Sequence, residues 1–217
     1  MKVRKSNAAF IFIALFVANS VLAGNTPNAN DGCAYDQKKL LSLDFLKFDQ
    51  DTLNGGGGWR AVAAKKGCNL AAADLVKSYR NAHPELKGHQ PGTMLFWHEG
   101  QLRAFEGQNT QAIELMKQSK APAEFDKAGW NAYVDATTAF LAHDKENLLK
   151  AKEALAATPS MDDLPVKDGK ITVKLDNGQI MSMDWPPNSG IVDGFVRCFD
   201  KPYKEAYISP CRTGVQK

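Results

Sequence analysis

The sequence predicts a mainly α-helical fold of antiparallel helical hairpins in series, with one small β-hairpin near the C-terminus. Apolar residues recur at helical spacing through most of residues 36–155. Turn residues at Gly67, Gly107 and His143-Asp144 divide that stretch into paired segments. Only residues 170–184 alternate with a period of two.

Lys2, Arg4 and Lys5 precede the apolar run Ala8 to Ala18, and Val21-Leu22-Ala23 leads to Gly24, which together read as a secretory signal peptide over residues 1–23. The run is about eleven residues long, against about 20 needed to span a bilayer. It therefore predicts cleavage near Ala23 and no stable membrane anchor. Asn25 follows Gly24 where a lipoprotein would carry its lipid-accepting Cys. The expected product is periplasmic or secreted. Residues 24–35 read as a polar, flexible leader, and residues 36–217 as a single helical domain.

Asp36 to Asp51 is expected as a helix with Leu40, Leu43, Phe45 and Leu46 on its apolar side. The glycine run 55–58 is not followed by Lys-Ser or Lys-Thr and follows no apolar strand, so it reads as a helix connection and not a phosphate loop. Trp59 to Lys66 forms a short helix stopped by Gly67. Asn69 is placed to cap the next, in which Leu70, Ala73, Val76, Lys77 and Arg80 recur until His83-Pro84. Antiparallel packing of the first two helices would return Cys68 towards Cys33. Residues 84–92 read as a loop containing His89.

The repeat core spans 93–155. In its first helix Phe96, Gly100 and Arg103 share one line and Trp97, Gln101 and Phe105 a neighbouring one. Gly107 ends that helix in the left-handed conformation that costs glycine no Cβ clash, and Asn109 or Thr110 caps the next. Ala112, Ile113, Met116 and Ser119 give the second helix its face. Gly100 and Ala112, small residues on opposite sides of the turn, let the two helices approach closely.

This order of Gly100, Gly107, Ala112 and Ile113, preceded by Phe96 and Trp97, resembles a degenerate tetratricopeptide repeat over 93–119. Glu99 and Arg103 stand where that family usually has Leu and an aromatic, and Ser119 replaces its usual Ala. A second copy, offset by 36 residues, sets Ala136 against Gly100, Leu148 against Ala112, and Ala132-Tyr133 at the aromatic pair. The resemblance implies a concave groove lined by the first helix of each pair. Trp97, His98, Gln101 and Phe105 would face it from the first unit, and Trp130, Tyr133, Thr137 and Phe140 from the second. About three such units are normally needed to bury their faces, so flanking segments are expected to cap the array.

Past Pro159 the helical pattern stops. Ile171, Val173 and Leu175 alternate with Lys170, Thr172 and Lys174, Asp176-Asn177-Gly178 supplies a hairpin turn, and Ile180 to Met183 alternate again. An isolated hairpin is marginal in water, which predicts that the Ile171, Val173, Leu175 face lies on the helices. Ser189 is placed to cap a last helix with Ile191, Val192, Phe195 and Val196 on its buried side, and residues 189–217 end as a fastened tail.

All four cysteines lie past the signal peptide, and an even count in an exported chain predicts two disulfides. Four cysteines allow three connectivities; clustering at the two ends favours Cys33 with Cys68 and Cys198 with Cys211. Cleavage would remove Lys2, Arg4 and Lys5 from the 27 Lys and Arg, leaving 24 against 24 Asp and Glu. A near-neutral chain without a basic block gives nucleic acid little to bind.

Catalytic chemistry is sparse. His98-Glu99 begins like a zinc-protease helix, but Leu102 stands where the second His should be. His83, His89 and His98, with Glu99 as base, compose the one conceivable metal-dependent hydrolase, on irregular spacing. No nucleophile elbow is present, and oxidised cysteines leave no thiol nucleophile. The expectation is a non-catalytic binding module without cofactor that engages a peptide or protein partner through its groove. The alternative is a small periplasmic inhibitor or immunity-type protein. A deep, partly polar groove would favour the first and a flat apolar patch the second.

Overall fold

The computed structural model describes residues 31–50, 57–88, 90–160, 165–174, 178–208 and 210–214. The signal peptide, the leader up to residue 30, His89 and the hairpin turn at Asp176-Asn177 lie outside the described residues. Helix α1 (Gln37–Leu41) is followed by a π-helical turn (Leu46–Gln50), then α2 (Gly58–Ala63), α3 (Asn69–Ala82), α4 (Gln90–Phe105), α5 (Asn109–Lys117), α6 (Trp130–Leu141) and α7 (Lys145–Ala156). Strands β1 (Lys170–Lys174) and β2 (Ile180–Asp184) form an antiparallel pair, and α8 (Ser189–Arg197) and α9 (Tyr203–Ala206) complete the chain. The fold is mainly α, its helices packing in series as α2 on α3, α3 on α4, α4 on α5, α5 on α6 and α6 on α7.

Helix α4 is central because it is buried on two sides. Leu95 and Leu102, two turns apart, join an N-terminal core with Phe48, Trp59, Val62, Leu75, Val76 and Tyr79. Trp97 and Ala104, also two turns apart, join a C-terminal core with Met116, Tyr133, Phe140, Leu148 and Phe195. The two faces lie about 200° apart on a helical wheel, so the helix carries no solvent stripe along most of its length.

Five elements depart from the sequence reading, each for a local reason. The helix expected over 36–51 is interrupted at Ser42, whose hydroxyl bonds the Lys39 carbonyl at 2.8 Å, and a new turn starts at Asp44, which accepts the Lys47 amide at 2.9 Å. Helix α4 begins at Gln90, earlier than expected, because a proline at the second helical position removes only an amide that has no helical partner there. Asn69 and Asn109 are first helical residues and not caps, and their side-chain amides instead reach Glu106 at 2.8 Å and the Leu141 carbonyl at 3.4 Å. Asn188, in the left-handed region, precedes α8 in the capping position expected of Ser189.

Both cysteine pairs are bridged, Cys33 to Cys68 and Cys198 to Cys211, with Cα atoms 5.5 and 5.8 Å apart. Within the expected leader, residues 31–35 are therefore held: Cys33 is buried and Lys65 Nζ donates to the Ala34 carbonyl at 2.8 Å. In the hairpin, Lys170 stands opposite Asp184 and pairs with it at 2.5 Å. Ile171 is buried as expected of its face, whereas the Val173 side chain and Leu175 lie outside the described residues. Among the described residues no helix is long and apolar enough to cross a membrane.

Candidate functional site

The groove expected along the first helices is filled by the protein itself. Trp97 and Tyr133 are 4% and 2% exposed, which places them in the C-terminal core. Their rings meet at 4.9 Å between centroids. Gln101 Nε2 donates to the Tyr203 hydroxyl at 3.4 Å, and Phe105 packs edge-on against Tyr203 and Tyr207 at 5.2 and 5.5 Å. Phe140 stacks on Phe195 at 4.6 Å, and Thr137 is wholly buried. Helices α8 and α9, fastened by the Cys198–Cys211 bridge, thus cover the face that the repeat resemblance left open. An apolar face of two helix pairs needs a cover, and the C-terminal segment is the one present.

His98 is held from the other side of α4. Its Nδ1 lies 2.7 Å from Oδ1 of Asp49, a carboxylate with no solvent exposure, and its ring tilts against Trp59 at 5.1 Å. Trp59 Nε1 donates to the same Asp49 oxygen at 2.8 Å, Gln50 donates to Oδ2, and Arg60 donates to the Asp49 carbonyl. Gly58 permits this convergence, because a Cβ there would stand 1.9 Å from the Phe48 carbonyl oxygen. Burial pushes the Asp49 carboxyl up, but the His98 bond and charge, the Trp59 bond and Arg60 outweigh it, so it titrates below the usual range.

A second polar cluster lies on the opposite edge. Glu99, 1% exposed, receives Arg103 Nε at 3.0 Å and Nη2 at 2.9 Å, and also pairs with Arg80. Arg103 reaches Asp74 at 2.8 Å and Gln108 Oε1 at 3.1 Å. Of the three residues that depart from the repeat pattern, Ser119 is one and Glu99 and Arg103 are the other two. Here they join α3 to α4 by charge where that pattern uses apolar contacts. Their spacing of four was the available signal. Asp49 and Arg80 carried none, since their partners are remote in sequence.

His98 and His83 are bound up within the protein. The described ring contacts of His98 are the Asp49 carboxylate and the Trp59 indole. His83 Nδ1 faces Glu85 at 2.8 Å and its Nε2 faces the Leu41 carbonyl at 2.9 Å, so both nitrogens are engaged within the protein. No group of three metal-capable side chains occurs among the described residues. His143, in the left-handed region at the α6–α7 turn, packs on Phe199.

One of the open clefts lies at one end of the α4–α5 hairpin, beside a residue expected to meet a partner. A cleft of about 570 Å³ runs between the start of α4 and the α5–α6 connection, lined among others by Met94, Ser119, Phe125, Lys127 and Trp130. Phe125, on a short 3-10 turn after Pro122, is 73% exposed. Trp130 is half-buried, packs edge-on against Trp97 at 4.8 Å, and donates its Nε1 proton to the Ser119 carbonyl at 2.8 Å. Asp126 accepts the Trp130 and Asn131 amides at 2.6 and 3.0 Å, fixing the α6 start. Of the residues expected to meet a partner, Trp130 is the one on this cleft.

Compared with family models, with curated proteins and with solved structures, the chain matches none of them.

Proposed function

We propose that the protein is an exported, non-catalytic binding module that holds a peptide or protein segment in the cleft beside Trp130. The observation that carries this reading is Phe125. A large aromatic side chain left largely exposed on a short turn, lining a cleft together with Met94 and Trp130, is what an interaction site presents before its partner arrives. Aromatic anchors in pockets supply most of the energy in such contacts. Export accords with the two disulfides and with the sequence of residues 1–23. A cleft, in place of a flat apolar patch, favours segment binding over the inhibitor alternative.

The test is capture by cross-linking of the mature protein in the exporting cell's extracytoplasmic fraction, with Phe125→Asp run in parallel. Phe125 is exposed, so the substitution should leave the melting temperature nearly unchanged. Loss of the cross-linked species with an intact fold supports the cleft. Equal recovery by both proteins refutes it.

A further inference from the structure

A second cleft, of about 600 Å³, lies on the other side of the same hairpin end, between the close of α3 and the start of α4. The two clefts are separated by adjacent residues, Gly92 and Gln118 lining this one and Thr93 and Ser119 the first. A segment crossing the hairpin end would therefore meet both.

Its lining differs in charge from the rest of the chain. Arg80, His83 and Lys87 contribute to it, with the amides of Asn81 and Gln118, and no carboxylate is among its described lining residues. Arg80 and His83 are paired with Glu99 and Glu85, which do not line the cleft, so Lys87 is the cation left over. Lys87 is exposed and has no ion-pair partner among the described residues. Arg80 lies 3.9 Å over the Phe96 ring and gives one guanidinium nitrogen to Glu99. Its Nε is the one buried side-chain nitrogen or oxygen among the described residues without a hydrogen-bond partner. A free ammonium beside a guanidinium and the Asn81 amide form a set that recognises a carboxylate.

We infer that this cleft takes a carboxylate of the segment bound beside Trp130, either an Asp or Glu side chain or a free C-terminus. The inference rests on the binding reading above and adds the chemical class of the partner. The neighbouring aromatic cleft supplies the apolar anchor, and the cationic cleft fixes direction along the segment.

The probe is an array of short random peptides, each synthesised as free acid and as C-terminal amide, and with Asp and Glu or with Asn and Gln at matched positions. Wild type, Lys87→Glu and Phe125→Asp are compared after circular dichroism confirms an unchanged fold. Wild type should retain peptides with an aromatic residue and a carboxylate. Lys87→Glu should weaken these by about tenfold or more, equivalent to about 1.4 kcal/mol, and leave their amide counterparts unaffected. The free-acid and side-chain arms identify which carboxylate is read. If retained peptides depend on Phe125 but bind equally as acids and amides, the carboxylate inference falls and the binding module stands. If wild type retains no peptide, both fall.

Discussion

Nδ1 of His98 and Oδ1 of Asp49 meet at 2.7 Å across the seam between α4 and the N-terminal segment, 49 residues apart in the chain. The carboxylate is wholly buried, and Trp59 and Arg60 close around it. Replacing Asp49 by Ala strands the Trp59 N–H and removes the counter-charge of Arg60, a loss on the order of 3–5 kcal/mol. Urea denaturation near neutral pH measures it. The folded pKa of Asp49 lies below its unfolded value of about 3.9, so its stabilisation is present above that value and fades as pH falls through the folded pKa. The difference between Asp49→Ala and wild type should therefore narrow on acidification, and a gap that widens would contradict the pairing.

Glu99 and Arg103 allow a sharper test, since a buried pair is expensive to break and cheap to replace whole. Glu99→Leu alone leaves Arg103 buried with the half-exposed Asp74 as its remaining anion, and Arg103→Met alone leaves Glu99 to Arg80. Each single change should cost about 3 kcal/mol or more, and the double change clearly less than the sum. Additive losses in a double-mutant cycle would mean that the two residues act independently.

His83 sets a pH dependence of opposite sign. Both ring nitrogens face acceptors, Glu85 Oε1 and the Leu41 carbonyl, and only the doubly protonated ring can donate to both. Burial lowers the His83 pKa, but those two bonds and the Glu85 charge outweigh it, and the net shift is upward. Its contribution is therefore full below the unfolded value of about 6.5 and is lost as pH rises through the folded pKa. His83→Gln should destabilise the protein more in mild acid than in mild alkali. Denaturation of both proteins on either side of that range checks the sign, and a larger effect in alkali would sink the assignment.

Features fixed by local sequence were legible, and those fixed by remote packing were not. Helix pairs could be read from periodicity and from Gly67 and Gly107, and the hairpin from its alternation. The bridges Cys33–Cys68 and Cys198–Cys211 followed from even count and end clustering. The sequence of α4 also shows two apolar lines, Leu95 with Leu102 and Trp97 with Ala104, but not that both would be buried. Reading it as a helix with one open face set Trp97 and Tyr133 at a groove that Tyr203 and Phe195 instead help to fill. Asp49 was invisible because its role exists only when residues 59, 60 and 98 converge on it. Phe125 carried no periodic signal, because it stands alone on a 3-10 turn.

Gly100 and Gly107 are required for different reasons, and substitution separates them. A Cβ on Gly100 would stand 2.8 Å from Met116 Cγ and 3.1 Å from the Ala112 carbonyl oxygen, so the limit there is space between α4 and α5. Helix propensity favours Ala over Gly by about 1 kcal/mol. Overpacking costs about 1–3 kcal/mol and acts on a core residue, Met116, that has no exposure. Gly100→Ala should consequently be net destabilising despite its better propensity. At Gly107 nothing lies within 4 Å of the added atom, but φ is +75°. The cost of Gly107→Ala is left-handed backbone strain of about 1–2 kcal/mol, and Gly107→Asn should recover part of it because Asn tolerates that region. The crossed comparison decides: Asn at position 100 should be worse than Ala, whereas at position 107 it should be better. The same rank order at both sites would mean that close helix approach and turn geometry are not what these two glycines provide.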